Sequence, residues 1–91
     1  MGAGRLLLVD DDRAFRRSTG ALLEQDGHEV AEAADASEAV EALRERSFDL
    51  ILLDLRMPGL DGIRLVEVLR EWGDGVPILM ISGFGSVEAA V

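Results

Sequence analysis

Residues 6–12 read Leu6-Leu7-Leu8-Val9-Asp10-Asp11-Asp12, an apolar run that ends abruptly in carboxylates. Four apolar residues in succession, with no polar alternation, suit a strand buried on both faces, as in a parallel sheet. Two later runs repeat this form: residues 50–53 end at Asp54, and Ile78–Ile81 ends at Ser82-Gly83. Glu29–Ala33 alternates instead, which predicts a weaker strand at a sheet edge.

The segments between these runs carry helical spacing. Arg13–Gln25 brings Phe15, Leu22 and Leu23 near one face. Ala36, Ala39, Val40 and Leu43 follow the i, i+3, i+4, i+7 pattern, with Ser37 as the expected N-cap. A third helix is predicted over 63–72, with Leu65, Leu69 and Trp72 aligned, started by Asp61-Gly62 and ended by Gly73-Asp74-Gly75. A fourth helix is expected to start near Ser86. Strands alternating with helices give right-handed crossovers and a parallel sheet covered on both faces, so the fold class is α/β, doubly wound.

Composition narrows the function. The 91 residues suffice for one domain. The net charge of −9, from 18 acidic and 9 basic residues, repels phosphate backbones, so direct nucleic acid binding is not expected, whereas a metal cation suits such a surface. Cysteine is absent, which removes disulfides and thiolate metal sites and fits a reducing compartment. The first apolar run is too short for a signal-peptide core, and no run reaches the length of a membrane span. The expected location is the cytoplasm, with no membrane partner.

In an open α/β sheet, ligands bind beyond the carboxyl ends of the strands, near the point where strand order reverses. Those ends carry Asp10, Asp11 and Asp12 after the first strand, Asp54 after the third and Ser82 after the fourth. Carboxylates gathered there repel, by roughly 4 kcal/mol for two unit charges about 4 Å apart at an effective dielectric near 20. A hard, oxygen-seeking ion such as Mg²⁺ relieves that repulsion. A carboxylate can also attack phosphorus as a nucleophile. The Ser82 hydroxyl can donate to a phosphoryl oxygen, and Gly83 leaves room for the group to enter. A plainer reading stands beside this one: an Asp after a strand commonly caps the next helix, which fits Asp12 far better than Asp10, Asp11 and Asp54 together. His28 reads as an ordinary surface residue, Trp72 and Met57 as core, and the Glu and Arg residues of the helices as solvated faces.

These blocks resemble the receiver domains of two-component response regulators. Leu7-Leu8-Val9-Asp10-Asp11-Asp12 is similar to the family's first strand and acidic pair. Asp54-Leu55-Arg56-Met57-Pro58-Gly59-Leu60-Asp61-Gly62 resembles its phosphorylation loop almost letter for letter. Pro77-Ile78-Leu79-Met80-Ile81-Ser82-Gly83 is similar to its fourth strand and switch hydroxyl. The resemblance implies a flavodoxin-like doubly wound parallel sheet, strand order 2-1-3-4 with the fifth strand missing. It implies Mg²⁺ held by Asp10, Asp11, Asp54 and the Arg56 main-chain carbonyl. It also implies that Asp54 is the phosphoacceptor, that Ser82 is the switch hydroxyl, and that the donor is the phospho-His of a sensor histidine kinase or phosphotransfer protein. Such a chain is a signalling domain rather than an enzyme.

The pattern departs from the family after the fourth strand. The family continues through a fourth helix, a fifth strand bearing an essential Lys, and a fifth helix, whereas all 9 basic residues here are Arg. Residues 1–91 are therefore expected to form a C-terminally incomplete receiver that takes up phosphate slowly. Its fourth strand is expected to be an open edge through which two copies pair as a homodimer. Two other functions compete. One is a truncated receiver that serves only as an interaction module; phosphate uptake by Asp54 separates it. The other is a haloacid-dehalogenase-like phosphatase, for which Asp10-x-Asp12 supplies the Asp-x-Asp motif but Ala14 stands where Thr or Val is required. Turnover of a generic phosphomonoester separates that one.

Overall fold

Leu6, Leu7, Leu8 and Val9 are all buried, so the strand they form, β1 (Arg5–Val9), has no solvent face. The computed structural model describes residues 4–54, 62–73, 75–81 and 87–90, of which 54, 62–65, 72–73, 81 and 87–90 are described by backbone alone. In chain order β1 is followed by α1 (Arg13–Gln25), β2 (Glu29–Ala33), α2 (Ala36–Glu45), β3 (Leu50–Asp54), α3 (Gly62–Gly73), β4 (Ile78–Ile81) and β5 (Val87–Ala90). β1 pairs in parallel with β2 on one side and β3 on the other, and β3 pairs in parallel with β4. The parallel part of the sheet thus has the order 2-1-3-4, and strand order reverses between β1 and β3.

Beyond β4 the structure departs from the sequence reading. The segment expected to begin a helix is β5, antiparallel to β4 with Ile81 opposite Val87 and Ile78 opposite Ala90. The expectation of an open fourth-strand edge, and of a homodimer paired through it, is corrected accordingly. Backbone pairing explains the outcome. A first helical turn fixes several dihedrals for one internal hydrogen bond, whereas a strand there pairs the outward N–H and C=O groups of β4.

The core lies on the α2/α3 side of the sheet. Leu7, Val9, Ile51, Leu53 and Ile78 from the strands meet Ala39 of α2 and Val66 and Leu69 of α3. Each fully buried aliphatic side chain of this size is worth roughly 1.5–3 kcal/mol relative to exposure. Two helix details also differ from the sequence reading. The N-cap of α2 is Asp35 rather than Ser37: Asp35 Oδ1 accepts from the Glu38 N–H at 2.9 Å, and Glu38 Oε1 accepts from the Ala34 N–H at 2.7 Å. In α1, Phe15 and Leu23 are half-buried but Leu22 is 64% exposed, because the inward face runs through Phe15, Arg16, Thr19 and Gly20. The chain leaves α1 through Gly27, whose φ of 92° suits a residue without Cβ.

Candidate functional site: the carboxyl ends of β1 and β3

β1 runs one residue past its formal end. The Asp10 N–H donates to the Ala33 carbonyl at 3.0 Å, which continues the ladder with β2. Asp10 is fully buried, a place where a carboxylate is costly unless it is hydrogen-bonded or paired. Its Oδ1 accepts from the Asp12 N–H at 2.9 Å, closing a tight turn. Asp12 then caps α1, its Oδ1 accepting from the Phe15 N–H at 3.1 Å. Asp11 lies at the crown of this turn and is exposed.

The other half of the site comes from β3. Val9 stands opposite Leu53 in the β1–β3 register, and β3 ends at Asp54, opposite Ile81 of β4. One step beyond Val9 and Leu53, Asp10 and Asp54 therefore occupy neighbouring positions on neighbouring strands, which lie about 4.8 Å apart. The structure thus brings the backbones of Asp10, Asp11 and Asp54 to the same sheet end, at the reversal of strand order where doubly wound folds bind ligands. The side chain of Asp54 lies outside the described residues, as do Arg56 and Ser82; Ser82 directly follows Ile81.

The donor set fits a hard cation. A buried and an exposed carboxylate share one turn, and Mg²⁺ typically takes one or two carboxylates while keeping several waters. Among the described residues no three acidic or imidazole side chains form a metal cage. The role of Asp12 also bears on the phosphatase alternative. Its carboxylate is engaged as a helix cap, whereas an Asp-x-Asp phosphatase requires the second Asp for chemistry.

One residue here escaped the sequence reading. Arg16, treated there as part of a solvated face, has a side chain only 12% exposed. Its Nη1 donates to the Asp10 carbonyl at 2.6 Å and its Nε to Glu32 Oε1 at 3.2 Å. The signal was available: with Asp12 as N-cap, Arg16 shares the inner face of α1 with Phe15 and Thr19. His28, by contrast, is half-buried at the opposite end of the sheet, where its Nδ1 accepts from the Gly4 N–H at 3.2 Å.

Residues 6–91 match the model of the response regulator receiver domain. The chain belongs to that family. The receiver is 40% identical over 87 residues to the response regulator MprA of Mycobacterium sp. (strain KMS), a match that covers 96% of the chain and 38% of that regulator. It therefore spans well under half of that relative's length. The receiver domain of the hybrid histidine kinase CckA is 40% identical and superposes with a TM-score of 0.80, covering 89% of this chain and 77% of that one. The response regulator TrrA of Thermotoga maritima, solved in complex with Mg²⁺ and BeF, is 28% identical with a TM-score of 0.75, covering 86% of this chain and 68% of that one. Receivers are signalling domains of two-component systems rather than classical enzymes, and neither the phosphatase nor the pure interaction module is favoured by these likenesses. No helix among the described residues is long and apolar enough to cross a membrane.

Proposed function

We propose that this receiver accepts a phosphoryl group on Asp54 from the phospho-His of a sensor histidine kinase or phosphotransfer protein, in an Mg²⁺-dependent reaction. The observation that carries the reading is the β1–β3 register, which sets Asp54 beside Asp10 at the sheet's reversal point. A carboxylate oxygen of Asp54 attacks phosphorus, the P–N bond to the imidazole breaks, and the electron pair returns to that ring nitrogen. The product is an acyl phosphate. Asp10, Asp11, Asp54 and the Arg56 main-chain carbonyl would hold Mg²⁺, and the likeness to TrrA, solved with Mg²⁺ and BeF, supports a site for that ion in this domain. When bound, such an ion supplies positive charge that screens the transferring oxygens. The Ser82 hydroxyl donates to a phosphoryl oxygen of the product.

The receiver works in the cytoplasm and does not itself bind nucleic acid, which a net charge of −9 would repel. The test is to offer a small phosphodonor or beryllofluoride with Mg²⁺ and to locate the adduct by mass spectrometry. A single adduct on Asp54, abolished in Asp54→Asn, is expected. Label that persists in Asp54→Asn, or that falls on Ser82, overturns the assignment.

A further inference from the structure

Arg13 and Arg17 of α1 are exposed, but Arg16 between them turns inward to the end of the β1–β2 ladder. The Asp10 N–H donates to Ala33, the last residue of β2, so the Asp10 carbonyl faces the place where β2 stops. The Arg16 guanidinium occupies that place. It donates to the Asp10 carbonyl at 2.6 Å while Glu32 Oε1 accepts from its Nε at 3.2 Å. A planar guanidinium meets two acceptors in fixed directions, which an ammonium does not. Asp10 is thereby tied at its N–H by Ala33, at its carbonyl by Arg16 and at Oδ1 by the Asp12 N–H.

We infer that Arg16 is a positioning residue for the acidic site, holding the buried Asp10 and the turn that carries Asp11 in one arrangement before a divalent cation arrives. The inference rests on the reading of this turn as an Mg²⁺ site. Partners that orient metal ligands commonly account for about 10–100-fold in metal affinity. A pure charge effect has the opposite sign. Removing a cation from an acidic site strengthens its attraction for Mg²⁺, so the two accounts separate cleanly.

The test compares the whole chain with its Arg16→Gln and Arg16→Lys variants. Without metal, amide exchange at Asp12 is read against exchange at Leu8 in the centre of the sheet. With metal, Mg²⁺ affinity is read from amide shifts. In Arg16→Gln we expect faster exchange at Asp12 than any change at Leu8 explains, together with Mg²⁺ binding weakened by about tenfold or more. Arg16→Lys, with the charge but not the fork, should recover only part of the affinity. Tighter binding in Arg16→Gln, with Arg16→Lys matching wild type, would show a charge effect and overturn the inference. Exchange rising equally at Asp12 and Leu8 would reduce Arg16 to a general stabiliser and overturn it too. Equal affinity in all three chains defeats this inference alone. Failure of the wild type to bind Mg²⁺ defeats the metal-site reading and this inference with it.

Discussion

Asp12 donates its backbone N–H to Asp10 Oδ1 at 2.9 Å. The two carboxylates therefore divide the work of the turn: Asp10 is fixed and buried by it, and Asp12 caps the helix that follows. Asp11 is exposed between them.

If the turn holds Mg²⁺ as proposed, Asp11 is the sensitive position. Asp11→Ala should weaken Mg²⁺ binding by about tenfold or more, equivalent to at least ~1.4 kcal/mol. Asp12→Asn keeps a capping oxygen and should change it little. Mg²⁺ titration followed by amide NMR decides. An unchanged affinity in Asp11→Ala removes that residue from the site.

The cap of α2 gives a second contrast. Asp35→Ala should cost about 0.5–2 kcal/mol, whereas Ser37→Ala, at an exposed position one residue inside the helix, should stay within ~0.5 kcal/mol of wild type. Urea denaturation of the two variants would show which residue caps the helix.

Gly20 is helical and buried, and a Cβ placed there would meet Val30 Cγ1 at 3.6 Å and Glu32 Oε2 at 3.8 Å, both ordinary contacts. Gly20→Ala should therefore stabilise the domain by roughly 0.5–1 kcal/mol through helix propensity and a less flexible unfolded chain. A lowered midpoint of thermal unfolding would mean that α1 cannot accept even a methyl group against β2.

Leu7 has no exposed surface and sits among Val9, Ile51 and Leu53 in the core. Leu7→Ala should cost about 2–5 kcal/mol, enough to remove much of the stability of a small domain. A loss below ~1 kcal/mol, measured by chemical denaturation, would show that the α2/α3 side can collapse around the missing atoms.

The parallel sheet was legible because its strands are continuous apolar runs, and Asp10 and Asp54 were legible because each closes such a run. Registers and caps were harder. Ser37 and Asp35 are both good capping residues, and only the capping-box partner, Glu38, favours Asp35. Leu22 matched the helical period as well as Leu23 did, yet the inner face includes Arg16; the cap at Asp12 signals that face, but local spacing does not give its acceptors, the Asp10 carbonyl and Glu32. Val87–Ala90 became a strand for a reason absent from its own sequence, the unpaired outer edge of β4.

The register that sets Asp10 beside Asp54 has a consequence for how the protein is made. β1 leaves the ribosome first, but its partners are β2 and, later still, β3, with two helices intervening. At ~5–20 residues per second, the nascent chain spends on the order of seconds with the apolar face of β1 uncovered and its acidic end unassembled. The Asp54 half of this sheet end arrives only with the last residue of β3. The acidic sheet end therefore cannot assemble before the central crossover closes, and a nascent chain stalled before Asp54 presents a sticky first strand with that end incomplete.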